Sequence, residues 1–463
     1  MNTLYEIDEI LKKVKRVHFI GIGGSGMCPL AEILFNEGYE LSGSDNNETD
    51  TLARIRNMGI PVTLGQKAEN IEGAELIVYT AAILPDNPEL VAAKNSTIPT
   101  VERADLLGAI TRLYSDCYCV CGTHGKTTVS SMLTQMMIQC GKDPSAVIGG
   151  KLPLIQSNGR VGKSENMVCE ACEFKDHFLK LDPDIAVILN VDADHLEYFK
   201  NIENIIKSFH TFATMAKKAV IYNGDDANTL KAVEGVGGKD MITFGIDKKN
   251  DFYADNIEMV NAFAHFDAYK KGEKIGSIKL KVPGKHNVGN ALAALAAADY
   301  CGIPFDKAIE SLEQFGGACR RFEILDKLNG ITFADDYAHH PAELRVTLEA
   351  AMQMNYRKVW AVFQPFTYSR TKELMDDFAE VLQIPDECVM TEIMGSREVN
   401  TEGVYTSQLA AKIPGSVWFN TFEEVADYVL DHAQSGDLVI TLGCGDIYKA
   451  AKIMIKRLKA DKN

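Results

Sequence analysis

Val120-Cys121-Gly122-Thr123-His124-Gly125-Lys126-Thr127-Thr128 constrains the fold of this chain more than any other stretch. A short strand-like run, Cys117 to Cys121, feeds a glycine turn, and helical periodicity begins at Thr127. Backbone N–H groups at such a turn wrap a phosphate, and the helix dipole favours its negative charge. Gly122, Thr123, His124, Gly125, Lys126, Thr127 and Thr128 are therefore expected to cradle the phosphates of ATP. Lys126 would reach the outer phosphates, and the Thr127 hydroxyl would ligate Mg²⁺. The usual loop has a glycine five residues before Gly125, where this chain has Val120. A turn that binds nothing is the bland alternative. Gly, Lys and Thr falling together at a strand-to-helix switch argue against it.

A second glycine loop lies a hundred residues upstream. Val14 to Ile20 reads as a buried strand, followed by Gly21-Ile22-Gly23-Gly24-Ser25-Gly26-Met27 and a helical run from Cys28 to Phe35. The next strand, Tyr39 to Ser42, leads to Gly43-Ser44-Asp45, an acid about twenty residues beyond the glycines, which is the Rossmann arrangement. Thr80-Ala81-Ala82 ends a further buried strand, Leu76 to Thr80. Two nucleotide sites in one chain suggest one nucleotide as energy source and another as the handle of the substrate.

Downstream of the phosphate loop, two apolar strands end in polar groups. Met167 to Cys169 ends in Glu170, and Ile185 to Val191 ends in Asp192-Ala193-Asp194-His195. In a parallel sheet such ends converge on the phosphate loop, so Thr127, Glu170 and His195 are candidates to share a cation. Asp192 and Asp194 are equally suited to capping a following helix. Asp251 to Val282 alternates like an antiparallel meander, and Gly284 to Asn290 opens an alanine-rich helix. His286, Asn287 and Asn290 there can hydrogen-bond an adenine or a phosphate, against capping by Asn287 alone.

From Gln314 onward strands and helices alternate again after a Phe315-Gly316-Gly317 hinge. Three polar clusters sit at strand ends: Asp335-Asp336-Tyr337-Ala338-His339-His340-Pro341, Gln364 to Arg370, and Gly443 to Asp446. Together they describe the rim of a cleft. The basic tail from Lys452 reads as a helix with a solvated face.

At 463 residues the chain suggests about three α/β domains: residues 1–103, Rossmann-like; 104–313, with the phosphate loop and added antiparallel strands; and 314–463. A net charge of −16 argues against nucleic acid, which needs a broad basic surface. No run of ~18 apolar residues is present to span a membrane, and the N-terminus lacks the apolar core of a signal peptide. Eleven scattered cysteines fit buried thiols in a cytoplasmic protein.

In this order and spacing, His18 to Met27, Gly122 to Thr128, Asp194-His195, His286-Asn287 with Asn290, Arg320-Arg321-Phe322 and Asp335 to Pro341 resemble the Mur ligase family over the whole chain. The nearest likeness is to its alanine-adding branch in peptidoglycan precursor synthesis. The resemblance implies that Gly21, Gly23, Gly24, Ser25, Gly26, Met27, Ser44, Asp45 and Thr80 bind UDP-N-acetylmuramate in the first domain. The second domain would bind ATP and Mg²⁺, and the third would close over them bringing L-alanine.

The implied reaction is phosphorylation of the muramate carboxylate, attack of the amine on the acyl phosphate, and collapse to amide, ADP and phosphate. Lys126, Glu170, His195, His339 and Arg370 would carry the chemistry. Arg320 or Arg321 and Asp335 or Asp336 resemble the ATP-contacting pair. Tyr337, His339 and Arg370 resemble the groups that place the acceptor. Two departures stand out: Cys172-Glu173-Phe174 where the family often has Asp-Glu-Ser, and Phe366-Thr367 where it often has His-Arg or His-Thr. A ligase for murein tripeptide, or a non-catalytic UDP-sugar-binding protein, are the alternatives.

Overall fold

Val17 to Ile20 are buried throughout, as a strand covered on both faces must be. In the computed structural model, which describes residues 6–81, 83–396, 398–401 and 403–460, this strand (β1, Arg16–Ile20) lies at the centre of a five-stranded sheet. Its neighbours are Glu40–Asp45 (β2), Val62–Leu64 (β3), Leu76–Tyr79 (β4) and Thr100–Glu102 (β5), in the order β3-β2-β1-β4-β5. Every pair is parallel. The order reverses around β1, so the first glycine loop opens at a topological switch point, where such sheets bind ligands. Ala82 lies outside the described residues.

The second sheet has ten strands: Asp116–Cys121 (β6), Ser145–Leu152 (β7), Ser157–Arg160 (β8), Asn166–Glu170 (β9), Ile185–Ile188 (β10), Ala219–Asn223 (β11), Asp240–Phe244 (β12), Phe252–Val260 (β13), Phe263–Lys270 (β14) and Glu273–Pro283 (β15). Their order is β15-β14-β13-β12-β11-β10-β6-β9-β7-β8. β6 runs parallel to β9 on one side and to β10 on the other, which sets the ends of all three strands side by side. The expected meander is present as β13, β14 and β15 beyond β12.

The third sheet is built from Glu323–Leu328 (β16), Ile331–Asp336 (β17), Val359–Phe363 (β18), Glu387–Thr391 (β19), Val417–Phe419 (β20) and Leu438–Leu442 (β21). The order is β16-β17-β21-β18-β19-β20, with β16 antiparallel to β17 and the other pairs parallel. Asp336, Phe363 and Leu442 end neighbouring strands, tied by Gly443 N donating to Asp336 O and Gln364 N to Leu442 O, both at 3.1 Å. The three polar clusters therefore leave one sheet edge together.

One expectation needs correcting. The basic tail from Lys452 is helical to Ala460, within the helix Tyr448–Ala460, but it is not merely solvated: Met454 is buried in the core of the third sheet, as are Ala450 and Ala451 just before the tail. Its apolar positions recur at helical spacing among the lysines, so one face is core and the other is water-facing.

The chain packs as two compact units, Met1–Asn256 with Phe266–Ile278 and Val288–Phe315, and Ile257–His265 with Lys279–Asn287 and Gly316–Asn463. Within the first unit, Asn158 Nδ2 donates to Ser25 O, and Gly159 leaves no room for a side chain against Pro29. Among the described residues no helix is long and apolar enough to cross a membrane.

Candidate active site

The phosphate loop between β6 and the helix Lys126–Gln139 is fixed by what lies behind it. Gly122 has φ +140°, and a Cβ there would come within 2.9 Å of Leu189 Cβ. Gly125, at φ +88°, would place a Cβ 2.6 Å from Asn290 Oδ1. Both positions demand glycine. Val120, by contrast, is still in β6 and fully buried, so the missing glycine is a core residue of the strand. Asn190, just past β10, holds the loop open. Its carbonyl accepts from Thr123 N at 3.1 Å, its Oδ1 from His124 N at 2.8 Å, and its Nδ2 donates to His124 O at 3.0 Å. Thr123 Oγ1 accepts from Asp192 N at 2.8 Å. Thr127 and Thr128 stand in the first helical turn.

Lys126 Nζ donates to Gly122 O at 2.6 Å and Thr123 O at 3.0 Å, and lies 2.9 Å from Glu173 Oε2. Burial by itself would lower the lysine's pKa. The Glu173 carboxylate outweighs that and holds the ammonium above the usual lysine value. Thr127 Oγ1 donates to Glu170 Oε1 at 3.1 Å, and Glu170 Oε2 accepts from Gly149 N at 2.7 Å. His195 takes a left-handed φ of +53°, its N–H donates to Asp194 Oδ1 at 2.7 Å, and its ring packs 4.8 Å from Phe174.

One donor atom each of Glu173, Asp194 and His195 lie within 4.8 Å of one another. The expected metal set thus falls into two groups, Thr127 with Glu170, and His195 with Glu173 and Asp194. Glu173 was not singled out by the sequence reading. Its signal was a second acid three residues after Glu170, at a strand end. Hydroxyl and carboxylate oxygens of this kind fit a hard divalent cation such as Mg²⁺ and leave room for phosphate oxygens.

At the first glycine loop, Gly21 has φ +81°, and Gly21 N and Ile22 N donate to Ser44 O at 2.8 and 3.0 Å. Gly23 N donates to Asp45 Oδ2 at 3.0 Å, and a Cβ on Gly23 would fall 2.8 Å from Leu52 Cδ2. A cavity of about 530 Å³ opens here, lined by Gly21, Gly24, Asp45 and Thr80 together with the amides Asn46, Asn47, Gln66 and Asn87. Those amides were not anticipated. Ser44 offers the loop its carbonyl, because its buried hydroxyl donates to Glu89 Oε2 at 2.5 Å. Met27 is likewise buried, and Ser25 and Gly26 form the outer turn.

His286 and Asn287 open the helix His286–Tyr300, with Asn287 Nδ2 donating to Pro283 O at 2.7 Å, while Asn290 abuts Gly125 in the first unit.

In the second unit, Arg320 and Arg321 differ sharply. Arg320 Nε donates to Asp335 Oδ2 at 2.7 Å and Nη2 to Gly443 O at 2.6 Å, between the rings of Tyr337 and Tyr448. The Arg321 guanidinium lies 5.3 Å from the Tyr337 ring and makes no hydrogen bond or ion pair among the described residues. Asp336 accepts from Phe322 N and Ala338 N, each at 2.7 Å; burial pushes its carboxyl up to about 6 against the opposing charge of Arg321.

His339 Nδ1 lies 3.2 Å from Glu343 Oε2, and its ring meets Tyr337 and Phe366 edge-on. Burial acts to raise Glu343, but His339 and Arg321 hold it well below the usual carboxylate range. Glu343 too was missed; it stands one helical turn after His339, across Pro341. Arg370 is partly buried, and burial pushes the neighbouring Cys444 thiol up to about 12 against its charge.

Residues 16–115 match the Mur ligase family catalytic domain, 120–298 the Mur ligase middle domain, and 320–445 the Mur ligase glutamate ligase domain. A UDP-N-acetylmuramate–L-alanine ligase of Caldanaerobacter subterraneus subsp. tengcongensis is 43% identical over 461 residues, covering 98% of this chain and 100% of the relative. The solved UDP-N-acetylmuramate-alanine ligase MurC of Thermotoga maritima superposes with a TM-score of 0.83 at 28% identity, covering 96% of this chain and 99% of that one. A murein peptide ligase of Psychrobacter arcticus shares the fold, with a TM-score of 0.75 at 22% identity over 96% of this chain and 98% of its own. With all three domains matched and near-complete coverage by a close relative, the chain belongs to the Mur ligase family.

Proposed function

We infer that the protein is an ATP-dependent ligase that joins L-alanine to the carboxylate of UDP-N-acetylmuramate in peptidoglycan precursor synthesis. The observation that carries this is the phosphate loop itself, complete with Lys126 and with Glu170 on the Thr127 hydroxyl, in a chain alike to alanine ligases from end to end. Residues 1–103 bind the UDP-sugar, 104–313 bind ATP, and 314–463 supply the groups for the amino acid.

A carboxylate is a poor electrophile, and phosphorylation gives it a leaving group. In-line transfer needs positioned cations more than covalent help from the protein. Lys126 neutralises charge on the moving phosphoryl group, and the loop N–H groups orient the phosphates. Thr127 and Glu170, with His195, Glu173 and Asp194 beside them, are the residues to hold Mg²⁺, which when bound offsets phosphate charge. Arg321, whose guanidinium is uncommitted, and Asp336 serve the nucleotide, whereas Arg320 is already spent on Asp335. Arg370 takes the alanine carboxylate. Glu343 fixes His339 through Nδ1, which leaves Nε2 to accept a proton from the alanine ammonium before attack.

The test is phosphate release from ATP and Mg²⁺ with UDP-N-acetylmuramate and, in turn, L-alanine, glycine, L-serine and murein tripeptide. L-alanine should give the highest kcat/KM. Release with tripeptide alone would assign the recycling reaction instead, and no release with any acceptor would leave only a UDP-sugar-binding protein.

A further inference from the structure

Lys175 and Asp176 take left-handed conformations in succession, with φ of +52° and +59°, and neither is glycine. A side chain makes that conformation unfavourable, and two in a row compound the cost. Among the described residues one other non-glycine pair does this, Asn261–Ala262, at the tip of the β13–β14 hairpin, where a tight turn of this hand belongs. Lys175–Asp176 closes no hairpin. It lies between β9 and β10, which both run parallel to β6.

The chain is pinned on either side of this elbow. Upstream, Glu173 lies 2.9 Å from Lys126 Nζ, and the Phe174 ring 4.8 Å from that of His195. Downstream, the segment packs on the helix Arg103–Thr111 and the residue before it. His177 Nε2 lies 3.3 Å from Glu102 Oε1, Lys180 Nζ lies 2.9 Å from Asp105 Oδ1, and Asp182 N donates to Thr111 Oγ1 at 3.1 Å. A Cβ on Gly108 would run into the Lys180 carbonyl. Three residues separate Glu173 from His177, and the left-handed pair makes the reversal between these two fixed ends. Asp176 N donates to Glu173 O at 2.9 Å and Phe178 N to Cys172 O at 3.0 Å, which closes the turn.

The Asp176 side chain holds the elbow in place. Its carboxylate accepts from the Tyr198 hydroxyl at 2.7 Å and from Ser208 Oγ. Tyr198 stands three residues after His195 in the short helix Leu196–Phe199, and Ser208 stands in the helix Ile202–Met215. One carboxylate thus ties the segment after β9, which carries Glu173, to the segment after β10, which carries Asp194 and His195. Tyr198 is 40% exposed, so water could serve its hydroxyl equally well, and the need to satisfy a buried group does not explain the bond. Backbone strain of this kind persists where the surroundings over-determine it, and it gathers at functional sites.

We propose that Asp176 is a positioning residue for the ligase reaction: through Tyr198 and Ser208 it keeps Glu173, Asp194 and His195 within 4.8 Å of one another, so that they can share a divalent cation. The inference rests on the reading of these three as groups that hold Mg²⁺. Asp176 acts through them and touches neither cation nor substrate.

Mn²⁺ binding to the full chain with a non-hydrolysable ATP analogue, read from the electron paramagnetic resonance of the free ion, tests this alongside steady-state rates. Asp176→Ala should weaken Mn²⁺ binding by about tenfold or more and raise the half-saturating Mg²⁺ concentration in parallel, with KM for UDP-N-acetylmuramate unchanged. Asp176→Asn, which keeps one oxygen for Tyr198, should fall between. Tyr198→Phe should weaken Mn²⁺ binding by itself, and should cost nothing further when added to Asp176→Ala, because the two act through one contact. Mn²⁺ affinity equal in wild type, Asp176→Ala and Tyr198→Phe would overturn the proposal and leave the elbow a structural turn. A parallel rise in KM for UDP-N-acetylmuramate would also overturn it, since the whole segment would then have given way. If wild type bound no Mn²⁺ with the analogue, the reading of the metal-holding groups would fail first and the proposal with it. If Asp176→Ala did not fold, Tyr198→Phe would decide, and unaltered Mn²⁺ affinity in that variant would overturn the role of the clamp.

Discussion

Lys126 Nζ and Glu173 Oε2 lie 2.9 Å apart with side-chain exposures of 15% and 4%, so the phosphate-loop lysine is one half of a buried ion pair. Removing one partner of such a pair leaves an uncompensated charge, at a cost of ~3–5 kcal/mol. Lys126→Ala should therefore abolish turnover and lower the melting temperature while leaving UDP affinity nearly intact. Adding Glu173→Gln should restore much of the melting temperature but none of the turnover. A double variant that melts no higher than Lys126→Ala would show that the pair does not carry that stability.

The Thr127–Glu170 contact predicts how the enzyme depends on magnesium. Thr127→Val and Glu170→Gln should each raise the half-saturating Mg²⁺ concentration by ~10–100-fold, whereas Thr127→Ser, which keeps the hydroxyl, should stay close to wild type. Rates measured across a magnesium titration decide the matter. Unchanged half-saturation in both substitutions would remove these residues from the metal site.

Gly125 faces two independent obstacles to a side chain, its φ of +88° and Asn290 Oδ1 at 2.6 Å from a Cβ. Gly125→Ala should lose at least ~100-fold in turnover, since the backbone strain alone is ~1–2 kcal/mol and the loop must also move. Adding Asn290→Ala relieves the contact and not the strain, so recovery should be partial. Full recovery would mean that the left-handed conformation is not required.

Asp336 gives a pH signature. Its carboxyl sits at about 6 in the folded chain, raised by burial against the pull of Arg321, and at ~3.9 when unfolded. Because the folded value is the higher, its contribution to stability is fully present below pH ~4 and is lost as pH rises through 6, by ~3 kcal/mol in all. Glu343 has the opposite sign: its folded value is depressed, so its stabilisation is present at neutral pH and disappears on acidification. Urea midpoints for wild type and Asp336→Asn should therefore shift relative to each other between pH 4 and 7, with wild type losing ground as pH rises. Parallel curves would place Asp336 in an ordinary solvated setting.

Much of this architecture was legible in the sequence because it is written locally. Both glycine loops follow apolar strands at once, and Glu170 ends β9, where a parallel sheet gathers its polar groups, whereas β10 stops at Ile188 and His195 stands at the start of the short helix Leu196–Phe199. Partners distant in the chain were not legible. Glu173 meets Lys126 across 47 residues, and only the pairing of β9 with β6 brings them together. Ser44 read as a ligand group, but the pleat of β2 turns its hydroxyl into the core. The lysine-rich tail hid Ala450, Ala451 and Met454, whose burial depends on a sheet formed far upstream.

The central claim is that the phosphate loop activates a carboxylate. UDP-N-acetylmuramate carrying heavy oxygen in its carboxylate, turned over with ATP and L-alanine, tests this directly by mass spectrometry of the phosphate released. Acyl-phosphate chemistry predicts one heavy oxygen in each phosphate, together with an alanine-extended UDP-sugar. Phosphate without heavy oxygen would mean that ATP is hydrolysed by water alone, and would contradict the account.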